Sequence, residues 1–324
     1  MPCIHKPCGA GLLFSLCLAC TVCYAQDLTP RAYVITPARW NAVILTYTYF
    51  TGSILFNQAL PITGASGNPS AGIFSLYHSL NFFGRSANIT ASLPYGVGHF
   101  QGKVLGTPGT IYRSGLLDSF FRFSVNLKGG PSMSPEEFRT WRQKTLIGTS
   151  FTLVAPTGQY DPSRLVNQSS NRWAFKTELG LSHRQGHWIL DTYGGVWFFT
   201  TNPDYLAYNP ILSPHRSNTL SQKPVGAFEG HLSYDVKHNP RFWFSLDGNF
   251  WYGGSTSLNG KENFKTLQEN SGVGFTASVP ITRHQSLKFS YSNGDYVVFG
   301  GNYQNVSVGW QYFWLGRRAA NTLP

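Results

Sequence analysis

Apolar and polar residues alternate with period two along most of this chain. The pattern is sharpest in "NVSVGWQYFW", residues 305–314. There Val306, Val308, Trp310, Tyr312 and Trp314 share one parity, and Ser307, Gly309 and Gln311 share the other. Successive side chains of a strand point to opposite faces, so this alternation predicts strands with one apolar and one polar face. The same reading predicts strands near 40–50, 72–82, 85–94, 114–127, 143–155, 171–183, 186–200, 223–236, 240–252, 267–279, 284–293 and 302–314. Their number is even, and each approaches the roughly 9–11 residues a tilted barrel strand needs to cross a bilayer.

The connections carry independent information. Long ones at 51–71, 95–113, 156–170, 201–222, 253–266 and, shorter, 294–301 alternate with short ones. The short ones are Phe83–Gly84, "RQG" at 184–186, "KHN" at 237–239 and "ITRH" near 281–284. Outer-membrane barrels have short periplasmic turns and long extracellular loops, whereas a soluble sandwich has no reason to keep that alternation. One joint breaks it. Residues 128–142, "KGGPSMSPEEFRTWR", hold a capping box of Ser134 and Glu137 with Pro135 at the first helical position. This predicts a short periplasmic helix near 134–142, acting as a stopper or surface element, with a periplasmic partner contact as the alternative.

Alternation alone does not separate a sandwich from a barrel. The stretch "WAFKTELGLSHRQGHWILDTYGGVWFF", residues 173–199, poses the choice, because Lys176, Glu178 and Asp191 sit inside apolar segments. In a sandwich the charges would face water and the apolar side would face inward. In a barrel the sense is inverted. Composition fits either a soluble β-sandwich or a lipid-facing barrel. Charged residues make up 12% of the chain, about half the usual share for a soluble domain, while aromatics reach 15%. No segment after residue 25 approaches 18 uninterrupted apolar residues, so helical spanning is excluded.

A Lys or Glu facing lipid would be costly, so the charged face must line the lumen. Parity then nominates Asp118, Arg122, Lys176, Glu178, Asp191, Tyr193, Glu229, His231, Trp243, Asp247 and Lys288 as lumen-lining residues, with Trp251 on the same face. Charges of both signs can pair across the interior. The aromatic members suit an amphipathic or aromatic small molecule better than a bare ion.

The N-terminus changes the picture of cellular context. "MPCIHKPCGAGLLFSLCLACTVCYAQ" has one basic residue, an apolar run from Leu12 to Val22, and small Ala25 before Gln26. That layout predicts a cleaved signal peptide over 1–25, and the apolar run is too short to span a bilayer. All five cysteines fall within it, so neither a disulfide framework nor a thiolate metal site is expected to hold the mature fold. The expected organisation is 1–25 signal peptide, 26–39 periplasmic N-terminal segment, 40–314 barrel and 315–324 C-terminal tail. The formal charge of +11 becomes +10 once Lys6 is removed. The remaining basic residues are scattered, which suits solvated turns and anionic lipid headgroups and argues against nucleic-acid binding.

Catalytic motifs are missing. No G-x-S-x-G elbow, H-E-x-x-H zinc pattern or clustered His/Asp grouping is present, and "YGVGHFQG" at 95–102 has no helix pattern behind it. No enzyme activity, cofactor or metal is expected.

Several stretches carry a resemblance. "LPYG" at 93–96, "GLLDSFFRFSVNLKGGPSMSPEEF" at 115–138, "APTGQYDPSRLVNQSSNRWAFKTELG" at 155–180, "WYGGSTSLNG" at 251–260 and "HQSLKFSYSNGDY" at 284–296 are similar to the phenol meta-pathway family of outer-membrane transporters. The resemblance covers nearly the whole mature chain. It implies a bacterial outer-membrane barrel inserted by the barrel assembly machinery and linked to uptake of aromatic or other hydrophobic compounds. Two places depart from the family pattern: Leu117 stands before Asp118 where similar chains tend to have Gly, and "LGRRAANTLP" follows the terminal Trp314.

Together these readings predict an all-β, twelve-stranded antiparallel transmembrane barrel passing small solutes passively. The alternatives are a structural or surface-binding barrel with a plugged lumen and, third, an outer-membrane lipid hydrolase.

Overall fold

The computed structural model describes residues 29–55, 62–164, 166–209, 213, 216–236 and 241–316. The expected signal peptide, the "KHN" turn and the tail from residue 317 lie outside the described residues.

The first part of the wall comprises β1 (Trp40–Leu55), β2 (Ile62–Phe82), β3 (Arg85–Val104), β4 (Thr107–Leu116), β5 (Ser119–Lys128) and, after helix α1 (Pro135–Thr140), β6 (Thr145–Ala155). It continues through β7 (Ala174–Gln185) and β8 (Trp188–Phe199), followed by two short loop strands, β9 (Asn202–Tyr205) and β10 (Asn218–Gln222). The wall resumes with β11 (Val225–Asp235) and β12 (Trp243–Gly253), and two more loop strands, β13 (Thr256–Leu258) and β14 (Lys261–Asn263), follow. The last wall strands are β15 (Gln268–Pro280), β16 (Gln285–Val297) and β17 (Gly300–Leu315).

All pairings are antiparallel, and β17 returns to β1 over the full register Trp40↔Leu315 to Leu55↔Gly300. The sheet has thirteen strands, but β4 and β5 share one place beside β3, so the closed wall has twelve positions. Closure is what hydrocarbon demands. An open edge would leave a row of backbone groups unsatisfied where no water can reach them, at several kcal/mol each.

Each predicted strand is present except that 114–127 is split by a break at Leu117–Asp118 into the end of β4 and β5, and the exposed faces are apolar: Leu179, Leu190, Phe228, Leu246, Phe275 and Val306 all point outward. Three predicted loops, 51–71, 95–113 and 294–301, are largely strand instead where described. β2 and β3 run 21 and 20 residues and meet β4 through a two-residue turn at Leu105–Gly106. The inner face of β3 in this stretch is built from Gly96, Gly98, Phe100, Gly102 and Val104, all buried. Glycine there blanks the alternation that marks a strand elsewhere. This extension folds over the extracellular mouth, where Ile62, Phe100, Val104 and Ile111 pack on Val166 and Leu206.

The predicted capping box forms at α1. Ser134 Oγ accepts from Glu137 N at 3.3 Å, and Glu137 Oε2 accepts from Ser134 N at 2.7 Å. At the other mouth, β9, β10, β13 and β14 make a small separate sheet in the extracellular loops.

Candidate functional site: the barrel interior

Lys176 and Glu178 are two apart on β7 and therefore share its buried face. Lys176 Nζ lies 2.5 Å from Glu178 Oε2 and 3.0 Å from Glu229 Oε1. Glu229 belongs to β11, one strand beyond the neighbour β8. The crossing is possible because Gly195 of β8 stands opposite Glu178; a Cβ there would come within 3.1 Å of Lys176 Cε and 2.8 Å of Thr177 O. The chain of charges continues along β11. His231 Nδ1 is 2.9 Å from Asp247 Oδ1 and its Nε2 is 3.6 Å from Glu229 Oε2. Ser245 and Thr276 donate to the Asp247 carboxylate at 2.8 and 2.7 Å. On the far side Arg122 reaches Glu178 at 3.6 Å. Each buried carboxylate thus has a cationic or hydroxyl partner, which is the condition for keeping charge out of bulk water.

Below this belt, toward α1, residues 29–39 run inside the barrel as a strap. Arg31, with φ of 65°, turns the chain so that its amide donates to Asp191 Oδ2 at 3.2 Å and its guanidinium meets Asp235 Oδ1 at 2.5 Å. The same guanidinium lies 4.3 Å over the Trp243 ring, and Arg184 holds the second oxygen of Asp235 at 2.6 Å. Ala32 N donates to the Tyr193 hydroxyl at 3.1 Å.

Tyr33 is the centre of the strap, only 1% exposed. Its hydroxyl donates to Glu178 Oε1 at 2.9 Å and sits 3.2 Å from Ser150 Oγ. Its ring meets Tyr193 edge-on at 5.2 Å and lies under the Arg122 guanidinium, also at 5.2 Å. The ring fits because Gly148 and Gly180, directly paired across β6 and β7, have no side chains; a Cβ at either would fall 2.2 or 2.1 Å from ring carbons. Farther down, Ile35 packs with Met133 and Leu146, and Ala38 N donates to Met133 O at 2.9 Å. The segment around α1 therefore clamps the strap at the periplasmic mouth.

Above the charged belt the interior turns apolar. Val154, Ala174, Trp197, Val225 and Trp251 form a buried cluster, with Phe120, Phe199 and Ala227 packed against it. Lys176 Nζ is 5.8 Å from the Trp197 ring, so the belt and the aromatic layer touch. Over that layer lies the loop between β6 and β7, pinned by Asp118. The Asp118 carboxylate accepts from Gly158 N at 3.1 Å and from both Ser170 N and Ser170 Oγ at 2.9 Å.

The structure thus brings Arg122, Lys176, Glu178, Glu229, His231 and Asp247 into one belt. Asp191, Tyr193 and Trp243 contact the strap. Asp118 sits at the break between β4 and β5 and holds a loop, and half-buried Lys288 stands apart on β16. Sequence reasoning did not nominate Arg31, Tyr33, Arg172 or Arg184. For Tyr33 a signal existed: two glycines, Gly148 and Gly180, on the polar parity of neighbouring strands leave a hole that something bulky must fill.

Comparison with known proteins agrees with this architecture. Residues 38–314 match the family described as "Putative MetA-pathway of phenol degradation", and the chain belongs to that family. Among solved structures it is similar to the COG4313 outer membrane channel from Pseudomonas putida F1, with a TM-score of 0.71 at 16% identity, covering 89% of this chain and all of that one. That likeness shows the fold: a twelve-stranded outer-membrane channel-like barrel. The β domain of the Bordetella autotransporter BrkA (TM-score 0.48, 12% identity, 85% of this chain and 100% of that one) is less similar. So is the KdgM porin (0.38, 10%, 83% and 98%), and at these scores neither bears on function. No curated protein matches the chain in sequence.

Proposed function

We propose that this barrel gives small amphipathic or aromatic solutes a passive route across the outer membrane. The observation that carries the reading is the layering of the interior, an aromatic layer in direct contact with a belt of paired charges. A solute with an apolar ring and a polar end can exchange contacts with the two layers in turn. A bare ion gains little from a belt whose charges already cancel. The long extracellular loops would collect the solute, and no energy source is required. In this reading Arg122, Lys176, Glu178, Glu229, His231 and Asp247 line the path, and the strap narrows its periplasmic half.

The strap also favours a second reading. Tyr33 and Arg31 fill the space under the belt, as a plugged structural barrel would require. Single-channel recording of the refolded mature chain in planar bilayers separates the two. Steady conductance that benzoate or a neutral aromatic solute blocks is the expected result. A folded barrel that stays silent with every solute overturns the open-path reading and leaves the plugged one. Liposome swelling with the same solutes provides the flux measurement.

A further inference from the structure

At the junction of the extracellular loops and the aromatic layer lies a buried cation with no direct ion pair among the described residues. Arg172 is 5% exposed. Its guanidinium lies 4.7 Å over the Phe199 ring, which covers one face. One edge, Nη2, donates to Gln222 Oε1 at 2.5 Å. The other, Nη1, is fully buried and has no hydrogen-bond partner. The Asp118 carboxylate, which accepts from Gly158 and Ser170, attracts Arg172 only from a distance.

A buried guanidinium without an anion in direct contact is costly. The usual remedies are a carboxylate or phosphate that takes two of its N–H groups. Burial pushes the Arg172 guanidinium down to about 10, more than the nearby Tyr205 and Asp118 pull it back up. The surroundings state what kind of anion fits. Phe199 stacks with Trp197 at 6.5 Å, and both belong with Trp251, Val225 and Phe120 to the apolar layer below. On the polar side Gln222 presents its Nε2, and Gln268 Nε2 lies near by: both amides sit within 3.6 Å of the place a Cβ on Gly254 would occupy. Gly254, with φ of +72°, lets Val225 and the Gln222 amide close in on that corner, since a Cβ there would stand 2.4 Å from Val225 Cγ2 and 2.7 Å from Gln222 Nε2.

We propose that Arg172 is the docking cation for the carboxylate of an aromatic or similarly apolar acid, whose ring enters the layer of Trp197, Trp251 and Phe199. The acid's oxygens take Nη1 of Arg172, with the amide of Gln222 beside it. This deepens the transport reading and rests on it for the biological use of the site, not for the binding itself.

The test is calorimetric titration of the full mature chain, refolded in detergent micelles at neutral pH, with benzoate, benzamide and acetate. One charge-assisted hydrogen bond gained by the acid predicts that benzoate binds about tenfold tighter than its neutral isostere. Acetate, lacking the ring, should bind more weakly than benzoate. In Arg172→Gln the ratio of benzoate to benzamide affinity should fall to about one, and Arg172→Lys, which keeps the charge and loses the planar fork, should fall between.

Equal binding of benzoate and benzamide to the wild-type chain overturns the proposal, and that comparison needs no variant to fold. A preference for benzoate that survives intact in folded Arg172→Gln overturns it as well. Liposome swelling keeps the two readings apart. Selective benzoate binding with no swelling would support the Arg172 site and defeat transport, whereas swelling with no benzoate preference would support transport and defeat the site.

Discussion

Removing the Tyr33 side chain should release the strap and open the periplasmic half of the barrel. The ring is held from every side: Tyr193 at 5.2 Å, Arg122 at 5.2 Å, and the glycine floor of Gly148 and Gly180. Truncating a buried aromatic to Ala costs roughly 3–5 kcal/mol in a packed core. The hydroxyl's bond to the Glu178 carboxylate at 2.9 Å accounts for about 1.5–3 kcal/mol of such a loss, because its acceptor is charged. What remains after Tyr33→Ala is the Arg31–Asp235 pair, the two backbone bonds to Asp191 and Tyr193, the Ile35 contact, and the bonds of residues 36–39 to Tyr77, Met133 and Ser79 near the periplasmic mouth. A loss of about 3 kcal/mol moves a docking equilibrium by more than a hundredfold, enough to populate the undocked strap. Single-channel recording should show higher conductance in Tyr33→Ala than in the wild type, and limited proteolysis should cut within residues 29–39. Tyr33→Phe, which loses only the hydroxyl, should lie between. Gly180→Val gives the same outcome by a different route, because its Cβ would stand 2.1 Å from the Tyr33 ring. If folded Tyr33→Ala conducts like the wild type and its strap resists protease equally, the strap is not held by this ring and the reasoning fails.

Two further perturbations test the electrostatics. Lys176→Met leaves Glu178 and Glu229 as neighbouring buried carboxylates with their shared cation gone, and breaking a buried pair this way costs about 3–5 kcal/mol. The folded barrel should unfold at lower denaturant, read by heat-modifiable gel mobility, and an unshifted midpoint would show that the belt is indifferent to its central lysine. In the extracellular sheet, the hydrogen bond from Lys223, and then that from Ser255, hold Glu262 below its ordinary value of 4.5. A carboxylate depressed on folding adds stability above its ordinary range and loses it as pH falls through the lowered value. Amide exchange at 256–263 should therefore speed up below about pH 4 once intrinsic rates are corrected, with Lys223→Ala flattening the dependence. Protection that does not change with pH would refute the link.

The wall was legible from alternation because lipid outside and water inside impose opposite chemistry on successive residues. That rule places Lys176, Glu178, Glu229, His231 and Asp247 on one surface without knowledge of any distance. It weakens where one face is built from glycine, as in 95–104, since a missing side chain carries no polarity. It also loses meaning across a break: Asp118 and Arg122 share a parity, yet Leu117–Asp118 interrupts the strand and turns Asp118 to the loop it anchors. The strap was not legible as an interior element because "PRAYVITPAR" has no period of its own. Its place is recorded on other strands, in the paired Gly148 and Gly180, and such a signal is read only after the register is known.

The charges inside this barrel follow from the same constraint. Glu178, Glu229, Asp247, Asp191 and Asp235 face Lys176, Arg122, Arg31, Arg184 and His231, so the interior below the aromatic layer is close to neutral in sum. A neutral, fully paired belt has little long-range field with which to choose the sign of a solute, because opposing charges a few ångströms apart cancel well within the roughly 8 Å over which salt screens them. Selection by charge must then come from a group that is not paired, and selection by shape from surfaces that are not polar. Arg172 and the layer of Trp197, Trp251 and Phe199 are where the structure places the two side by side. The paired belt, by contrast, holds the strap in register, and substitutions there should alter stability before they alter which solute is preferred.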